Sequence, residues 1–172
     1  IWQQANEVLA SPELSAQGIL KKFEVRALCT TDDPAESLDH HRAIAASDCA
    51  TRVDPTFRPD KALAVHQPEA FNTWLQKLEA ASDVSISSLD DLKAALEKRH
   101  GDFHAIGGRL SDHGLNFCYA EFPTEAEAAA IFERARSGFA ADGAQQARFA
   151  SHLMLFFGQL DARRGWTKQL HL

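Results

Sequence analysis

Four short, strand-like segments of this chain each end at a cluster of polar or ionisable residues, and helical stretches separate them. The segments end near Thr30, Phe57, Leu110 and His171. In α/β barrels and open parallel sheets, the carboxyl ends of successive strands meet at one edge, where active sites are built. The pattern therefore predicts an enzyme with four parallel strands in chain order, helical crossovers between them, and all the polar clusters at one edge of the sheet.

The length of the chain limits this interpretation. A closed eight-stranded barrel needs roughly 250 residues, and the chain has 172, of which 45% are hydrophobic and 24% charged. We therefore predict an α/β fold that is a partial (β/α)8 TIM-barrel segment of about four parallel strands with crossover helices, plus a helical insertion. Residues 1–60 and 108–172 are predicted to be barrel βα units, and residues 61–107 the insertion, within one partial catalytic domain. Because the chain starts at Ile1 and Leu172 lies in a strand-like run, we expect both ends to be cut.

Capping and periodicity signals predict the individual elements. The first two strands are expected at 24–30 and 52–57, and Pro55 should cause a bulge or an early end in the second strand. Ser88 and Thr124 have the spacing of capping boxes. The predicted helices span, in chain order, residues 11–22, a segment starting at 33–34, and then 68–81, 88–107, 124–136 and 144–163.

Charge, hydropathy and cysteine usage restrict the partners. The formal net charge is −6 and the Lys and Arg residues are scattered among acids, which argues against nucleic-acid binding. The longest apolar run, residues 153–157, is far too short to cross a membrane, and no secretory signal is visible. Cys29, Cys49 and Cys118 form no C-x-x-C pair and are interpreted as buried, reduced thiols. We expect a cytoplasmic protein with a small-molecule substrate.

Two adjacent carboxylates, Asp32 and Asp33, follow the first strand-like segment. In one site they would differ in pKa and supply acid–base groups or polar substrate contacts. Asp33 is better interpreted as the cap of a helix that begins at Pro34, and both interpretations stay open for Asp32. Arg58 follows the second segment, where its guanidinium can bind a substrate carboxylate in a bidentate pair or form an ion pair with Asp60.

The Asp112-His113 pair is the strongest local signal for chemistry. An acid and an imidazole at the end of a strand can ligate a metal, transfer protons or bind substrate hydroxyls, and a purely structural hydrogen bond is the alternative. His100 and His104 have the spacing of a helical zinc pair. They lack the glutamate of the H-E-x-x-H motif, so a solvated helix flank is the preferred interpretation for them.

Five ordered stretches of the chain closely resemble the uronate (glucuronate) isomerase family. They include Leu-Cys-Thr-Thr-Asp-Asp-Pro, Thr-Phe-Arg-Pro-Asp-Lys-Ala, Arg-Leu-Ser-Asp-His-Gly and Trp-Thr-Lys-Gln-Leu-His. Their positions are residues 23–34, 38–42, 55–62, 109–114 and 164–171. Because these motifs occur in the right order across the whole chain, the resemblance is far more specific than one short pattern would be.

The resemblance implies a divergent member of the amidohydrolase superfamily, with a (β/α)8 barrel and a helical insertion. It implies aldose–ketose isomerisation of D-glucuronate to D-fructuronate, and of D-galacturonate to D-tagaturonate, in uronate catabolism. The family's H-x-H metal pair and its terminal catalytic Asp would lie outside this chain. A divalent, zinc-like metal is therefore expected only in the complete enzyme, and we expect this segment alone to be inactive.

Within this chain, the resemblance and the strand-end positions together suggest seven site residues and no metal ligand. The catalytic candidates are His113 and Asp112, with His113 as a possible proton relay. Arg58 is expected to bind the C6 carboxylate of the uronate. The other substrate-binding candidates are Asp32, Asp60, Gln169 and His171.

Three further expectations accompany this hypothesis. The unpaired edges of half a barrel favour a homo-oligomer. A metal-dependent hydrolase of the amidohydrolase superfamily is one alternative function, because it would use the same strand-end His and Asp residues. A non-catalytic helical interaction domain, in which these polar groups only cap and pair, is the other.

Overall fold

The computed structural model describes residues 1–171 and contains one four-stranded sheet. The strands are β1 (Ala27–Asp32), β2 (Arg52–Phe57), β3 (Leu110–Gly114) and β4 (Thr167–His171). They lie side by side in the order β1-β2-β3-β4, and every neighbouring pair is parallel. The predicted α/β fold with four parallel strands in chain order is confirmed.

Seven α-helices occur among the described residues. They are α1 (Trp2–Leu9), α2 (Ala16–Lys22), α3 (Asp39–Ala45), α4 (Pro68–Ser82), α5 (Leu89–Ala105), α6 (Glu125–Arg136) and α7 (Gly143–Arg164), with short 3-10 helices at Pro12–Leu14 and Asp60–Leu63. The capping boxes predicted from Ser88 and Thr124 head α5 and α6, and Asp142 forms a third at the start of α7. No helix of residues 1–171 combines the length and hydrophobicity that crossing a membrane requires.

The predicted helix over residues 11–22 is wrong in its first half. Pro12–Leu14 forms a separate 3-10 helix, and α2 begins only after Ser15, whose side-chain oxygen accepts a hydrogen bond from the Gly18 N–H. The following strand also begins later than predicted, at Ala27. Glu24, the predicted first residue, has a φ of 53°, which an extended strand cannot accommodate.

The helix predicted to start at Asp33-Pro34 is also displaced. The Asp33 side chain accepts a hydrogen bond from the N–H of Ala35 at 2.8 Å, and its carbonyl accepts one from the N–H of Glu36. Both contacts close a tight turn without propagating a helix, and α3 starts at Asp39. Asp33 therefore caps a turn.

The third strand begins where it was predicted to end. The N–H of Gly108 donates to the carbonyl of Phe103, so this glycine belongs to the termination of α5. Strand β3 therefore starts at Leu110 and includes Ser111, Asp112 and His113. Because side chains alternate along a strand, Asp112 and His113 point to opposite faces of the sheet.

Pro55 is accommodated inside β2 without ending the strand. It pairs with Thr30 of β1, and β2 continues to Phe57. The pairing between β2 and β3 is recorded only at Phe57 and Ser111, beyond the proline. Pro55 therefore lies where β2 has a single sheet neighbour, which tolerates the missing N–H.

The buried core lies against one face of the sheet, with Phe57 at its centre. The Phe57 ring packs edge-to-face against Phe103 of α5, at a centroid distance of 5.3 Å, and against Phe157 of α7 at 6.3 Å. Helix α4 packs against α5 and α6, away from the strands. Core residues of α4 and α5 belong to the same buried cluster as those of α6 and α7. The division of the chain at residues 61–107 remains our proposal.

The register of the sheet separates its residues into two faces. Asp32, Phe57, Ser111 and Lys168 are register partners and share the helix-covered face. The alternate residues, which include Thr31 of β1, Asp112 of β3, and Gln169 and His171 of β4, lie on the other face, which we call the open face. The expectation of buried cysteines is wrong for Cys29 and Cys118, which are exposed.

Candidate active site

Four predicted site residues come together at the carboxyl edge of the sheet. The Nε of Arg58 donates to the Oδ2 of Asp60 at 2.9 Å, and its Nη1 lies 3.6 Å from the Oδ2 of Asp112. The other oxygen of Asp112 is 2.7 Å from the Nδ1 of His171. We call Arg58, Asp60, Asp112 and His171 the strand-end cluster.

Backbone geometry fixes the strand-end cluster. The N–H of Arg58 donates to the carbonyl of Asp32, which extends the β1–β2 pairing one residue beyond β2. Asp60 begins a 3-10 helix, and its Oδ2 also accepts the N–H of Gly114 at 2.9 Å, so this carboxylate joins the ends of β2 and β3. A Cβ atom at Gly114 would lie 2.4 Å from the Arg58 guanidinium. Glycine at this position lets the arginine cross the end of β3.

Solvent access differs sharply within the strand-end cluster. The Asp112 side chain is 6% exposed, whereas Arg58 is 36% and His171 56% exposed. A nearly buried carboxylate is therefore flanked by two cationic or titratable groups that solutes can reach. Gln169, on the same open face, has its amide nitrogen 3.0 Å from the Nε2 of His171. This arrangement can bind an anion at Arg58 and exchange protons beside it.

The pKa of Asp60 reflects its bridging position. Burial alone would raise the pKa of this carboxyl, but contacts with His113, the Gly114 N–H and Arg58 together lower it below its usual range. Asp60 is therefore ionised near neutral pH. It serves as the anionic partner that orients the Arg58 guanidinium.

His113 does not share the open face with Asp112. Its side chain is fully buried, stacks on Phe157 at a centroid distance of 5.6 Å, and lies 2.9 Å from the Nζ of Lys168. Burial is the main cause that lowers the pKa of His113, and the nearby Lys168 lowers it further. The sequence-based pairing of Asp112 and His113 as neighbouring catalytic groups is not realised, because β3 continues through both residues.

Asp32 lies at the same edge but makes separate contacts. Its Oδ2 accepts a hydrogen bond from the Thr30 hydroxyl at 2.6 Å and lies 3.6 Å from the Nε2 of His41. A shallow cavity of about 280 Å³ has Asp32, Arg58 and Asp60 among its lining residues. Asp32 is therefore a rim residue of the cavity in which Arg58 is accessible.

Asp33 is held by contacts that Asp32 does not share. Its Oδ1 accepts the indole N–H of Trp74 at 2.8 Å, and its Oδ2 lies 3.1 Å from the Nζ of Lys61. A larger cavity, of about 780 Å³, lies between this region and α4 and does not include Arg58. We favour the smaller cavity as the candidate site because it contains the exposed guanidinium. Asp33 also lines the smaller cavity, and its contacts with Trp74 and Lys61 favour a structural role for it over a paired carboxylate site with Asp32.

A second cluster of polar residues lies on the helix-covered face of the sheet, and most of its members were not predicted from the sequence. Asp161 of α7 accepts hydrogen bonds from the Ser111 hydroxyl at 2.7 Å, pairs with the Nζ of Lys168 at 3.2 Å, and lies 3.1 Å from the Nε2 of His100. His100 is buried and stacks on Trp166, so its interpretation as a solvated residue is wrong. One sequence signal could have revealed this group: Asp161 is a carboxylate within the otherwise apolar stripe of α7.

The described residues, 1–171, do not provide a metal site. Within residues 1–171, no group of three or more His, Cys, Asp or Glu side chains has an arrangement that could hold a metal ion.

The strand-end cluster belongs to a chain with clear relatives. A family model described as glucuronate isomerase matches residues 1–172. This chain belongs to the glucuronate isomerase family. The uronate isomerases of Solibacter usitatus and Opitutus terrae are 59% and 58% identical to it over 172 residues, which is all of this chain and 37% and 36% of theirs.

Solved structures of glucuronate isomerase family members share the fold. A uronate isomerase from Thermotoga maritima superposes with a TM-score of 0.87 at 32% identity, over 93% of this chain and 35% of that one. A glucuronate isomerase from Caulobacter crescentus gives a TM-score of 0.89 at 23% identity, over 98% of this chain and 35% of that one, and shows the fold alone. The chain thus spans about a third of the length of its relatives. The predicted resemblance and the partial TIM-barrel fold are confirmed.

Proposed function

We propose that this chain is a segment of a cytoplasmic uronate isomerase that converts D-glucuronate to D-fructuronate and D-galacturonate to D-tagaturonate in uronate catabolism. The observation that carries the proposal is the position of Arg58. Its partly exposed guanidinium lies between two carboxylates at the carboxyl edge of the sheet, in a chain of the glucuronate isomerase family. The uronate isomerases of Solibacter usitatus and Opitutus terrae, which this chain resembles, support the same reaction.

The reaction sets three requirements for the site. Moving a carbonyl from C1 to C2 requires removal of the C2 proton, stabilisation of an enediolate and return of a proton at C1. The charged sugar acid must also be held in one orientation, because positioning contributes a large share of such barriers. We assign orientation to Arg58, whose planar guanidinium can form a bidentate pair with the C6 carboxylate.

The other strand-end residues are assigned by their access to the open face. Asp112 and His171 form a carboxylate–imidazole pair, 2.7 Å apart, that can take up and return a proton beside the bound sugar. Gln169, on the open face, is assigned to contact sugar hydroxyls. Asp32 lies on the helix-covered face, but it is assigned the same role because it lines the cavity beside Arg58. Asp60 holds Arg58, and His113 is assigned a positioning role because it is fully buried.

The complete enzyme is proposed to use a divalent, zinc-like metal whose ligands lie outside this chain. The described residues do not fit such a site, since they bring no suitable ligand group together. We also propose that this segment on its own forms a homo-oligomer, since its exposed edge strands β1 and β4 favour association.

An isomerase assay tests the proposal. The complete polypeptide that carries this segment is purified, supplied with D-glucuronate or D-galacturonate, and assayed for ketouronate. We expect turnover by the complete polypeptide, loss of turnover in Arg58→Ala, and no turnover by the 172-residue chain alone. Hydrolysis of amide or ester substrates without ketouronate formation would instead support the hydrolase alternative. A folded polypeptide with neither activity would support the interaction domain.

A further inference from the structure

Three polar side chains form a continuous row behind β3 and β4. Asp161 lies 3.2 Å from the Nζ of Lys168, and the same Nζ lies 2.9 Å from the Nε2 of His113. All three are largely shielded from water, with exposed side-chain fractions of 4% for Asp161, 23% for Lys168 and 0% for His113. The row joins α7 to the centre of the sheet.

The chemistry of Lys168 determines the tautomer of His113. A lysine ammonium has only donors, so the Nε2 of His113 must accept its hydrogen bond. The only other polar neighbour recorded for this Nε2 within residues 1–171 is the Ser111 hydroxyl, at 3.3 Å. That hydroxyl donates its proton to Asp161 at 2.7 Å. The proton of neutral His113 therefore lies on Nδ1.

The Nδ1 proton of His113 faces the strand-end cluster. The Oδ1 of Asp60 lies 3.6 Å from Nδ1, which is an ion-pair distance, and neither atom has a hydrogen-bond partner in the described part of the chain. The other carboxylate oxygen of Asp60, Oδ2, accepts hydrogen bonds from the Nε of Arg58 and the backbone N–H of Gly114. The buried row thus reaches Arg58 through one carboxylate.

We infer that Lys168 and His113 form a positioning relay for Arg58. Lys168, held by Asp161, fixes the Nδ1–H tautomer of His113, and His113 in turn directs Asp60, which orients the Arg58 guanidinium towards the open face. One premise of the inference rests on the proposed function, namely that Arg58 binds the uronate carboxylate. Lys168 and Asp161 do not contact the substrate.

The electrostatics of the relay agree with this geometry. The groups that face His113 are Asp60 from the loop after β2, Lys168 from β4 and Asp161 from α7. Burial lowers the pKa of His113 and Lys168 adds to the effect, so the imidazole is neutral at neutral pH. Burial also lowers the pKa of Lys168, while Asp161 opposes this shift and favours the charged ammonium. A neutral imidazole beside a cationic donor is the state that the relay requires.

NMR of the complete polypeptide tests the tautomer directly. Histidine labelled with the NMR-active nitrogen isotope is incorporated, and the His113 signals are identified by their loss in His113→Gln. We expect wild-type His113 to carry its proton on Nδ1. In Lys168→Met the Nε2 loses its donor, so His113 should shift to the Nε2–H tautomer or become protonated. Lys168→Arg keeps a donor and should restore the Nδ1–H form.

Kinetics test the connection to Arg58. We expect Lys168→Met to raise the KM for D-glucuronate about tenfold and to change kcat much less, because a misplaced Arg58 weakens binding of the carboxylate. Lys168→Arg should recover most of the loss. The control is Lys93→Met, which removes the ion pair with Glu125 at a distant site and should leave KM unchanged.

Two results would overturn the relay. The first is an Nε2–H tautomer in the wild-type protein. The second is a folded Lys168→Met variant with wild-type His113 signals and an unchanged KM. Since the tautomer is read without any substrate, a protein that lacks isomerase activity would disprove the proposed function, and the spectra would still decide the state of His113.

Discussion

Asp112 and His113 are neighbours in β3, yet their side chains contact opposite faces of the sheet. Asp112 lies 2.7 Å from His171 on the open face, whereas His113 stacks on Phe157 in the helical layer. One residue can therefore meet a substrate at the strand ends, and the other acts only through its neighbours. We therefore propose different roles for the two predicted catalytic residues.

Asp112→Asn should mainly lower kcat. The substitution keeps the size of the side chain and removes the carboxylate that contacts His171, so proton transfer beside the sugar is lost. Because general acid–base groups contribute on the order of 100-fold or more, we expect at least that decrease in kcat for D-glucuronate in the complete polypeptide. Steady-state kinetics with both uronates measure it. A change confined to KM would show that Asp112 only positions Arg58.

Arg58→Lys should harm uronate use although the positive charge is retained. Lysine cannot reproduce the planar guanidinium that contacts Asp60 and reaches Asp112. We expect a loss of at least about 1.4 kcal/mol in transition-state binding, which corresponds to about tenfold in kcat/KM. The matched control is Arg163→Lys, an exposed arginine paired with Glu97 far from the strand ends. Equal kinetics for both variants would leave Arg58 with a structural role alone.

Sequence periodicity was sufficient to predict the order of the strands, but it did not predict on which face of the sheet each side chain lies. The helical stretches between the strand-like segments required parallel crossovers, and the motifs placed Arg58, Asp112 and His171 at one edge. The face of each side chain depended on where β3 begins. With the strand predicted to end near Leu110, Asp112 and His113 were interpreted as a pair at the strand end, and the period-two alternation was not applied to them. The hydrogen bond between Gly108 and Phe103, which sets the true start, is not encoded in a simple pattern.

Long-range partners account for the remaining errors. Asp33 was interpreted from its neighbour Pro34, but its position is set by Trp74 and Lys61, which arrive from α4 and the loop after β2. Lys168 lies in one of the family motifs, but nothing in the sequence predicted its burial, because an isolated lysine in a short strand is usually exposed. It is retained in the interior by Asp161, seven residues earlier but on a different element.

Phe57→Ala should strongly destabilise the protein. Phe57 is fully buried and packs on His100, Phe103 and Phe157, so truncation leaves a cavity between the sheet and the helices. Truncations of this kind lower the free energy of unfolding by about 3 to 5 kcal/mol. Thermal unfolding of the complete polypeptide should show a clearly lower midpoint. Phe122→Ala is the control, because that ring is exposed and its removal should change the midpoint little.

Asp91→Asn should destabilise the start of α5 in a pH-dependent way. Hydrogen bonds from the Ser87 and Ser88 hydroxyls and N–H groups lower the pKa of Asp91 to about 2. Because an unfolded aspartate has a pKa of about 3.9, the ionised carboxylate stabilises the fold above about pH 4, and this contribution disappears as the pH falls towards 2. At pH 7 the substitution should lower the free energy of unfolding by about 1 kcal/mol, which is the usual contribution of a helix cap.

The measurement is the difference in thermal midpoint between wild type and Asp91→Asn at several pH values. The difference should be equal at pH 7 and pH 5, above the range in which the carboxyl titrates, and smaller at pH 3. Asp90→Asn is the matched control, since Asp90 lies in the same first turn of α5, is exposed, and is not part of the capping box. Two outcomes would contradict the capping role of Asp91: a midpoint difference that stays constant down to pH 3, or an equally large difference for Asp90→Asn. Either would show that negative charge at the start of the helix, and not the capping contacts of Asp91, stabilises α5.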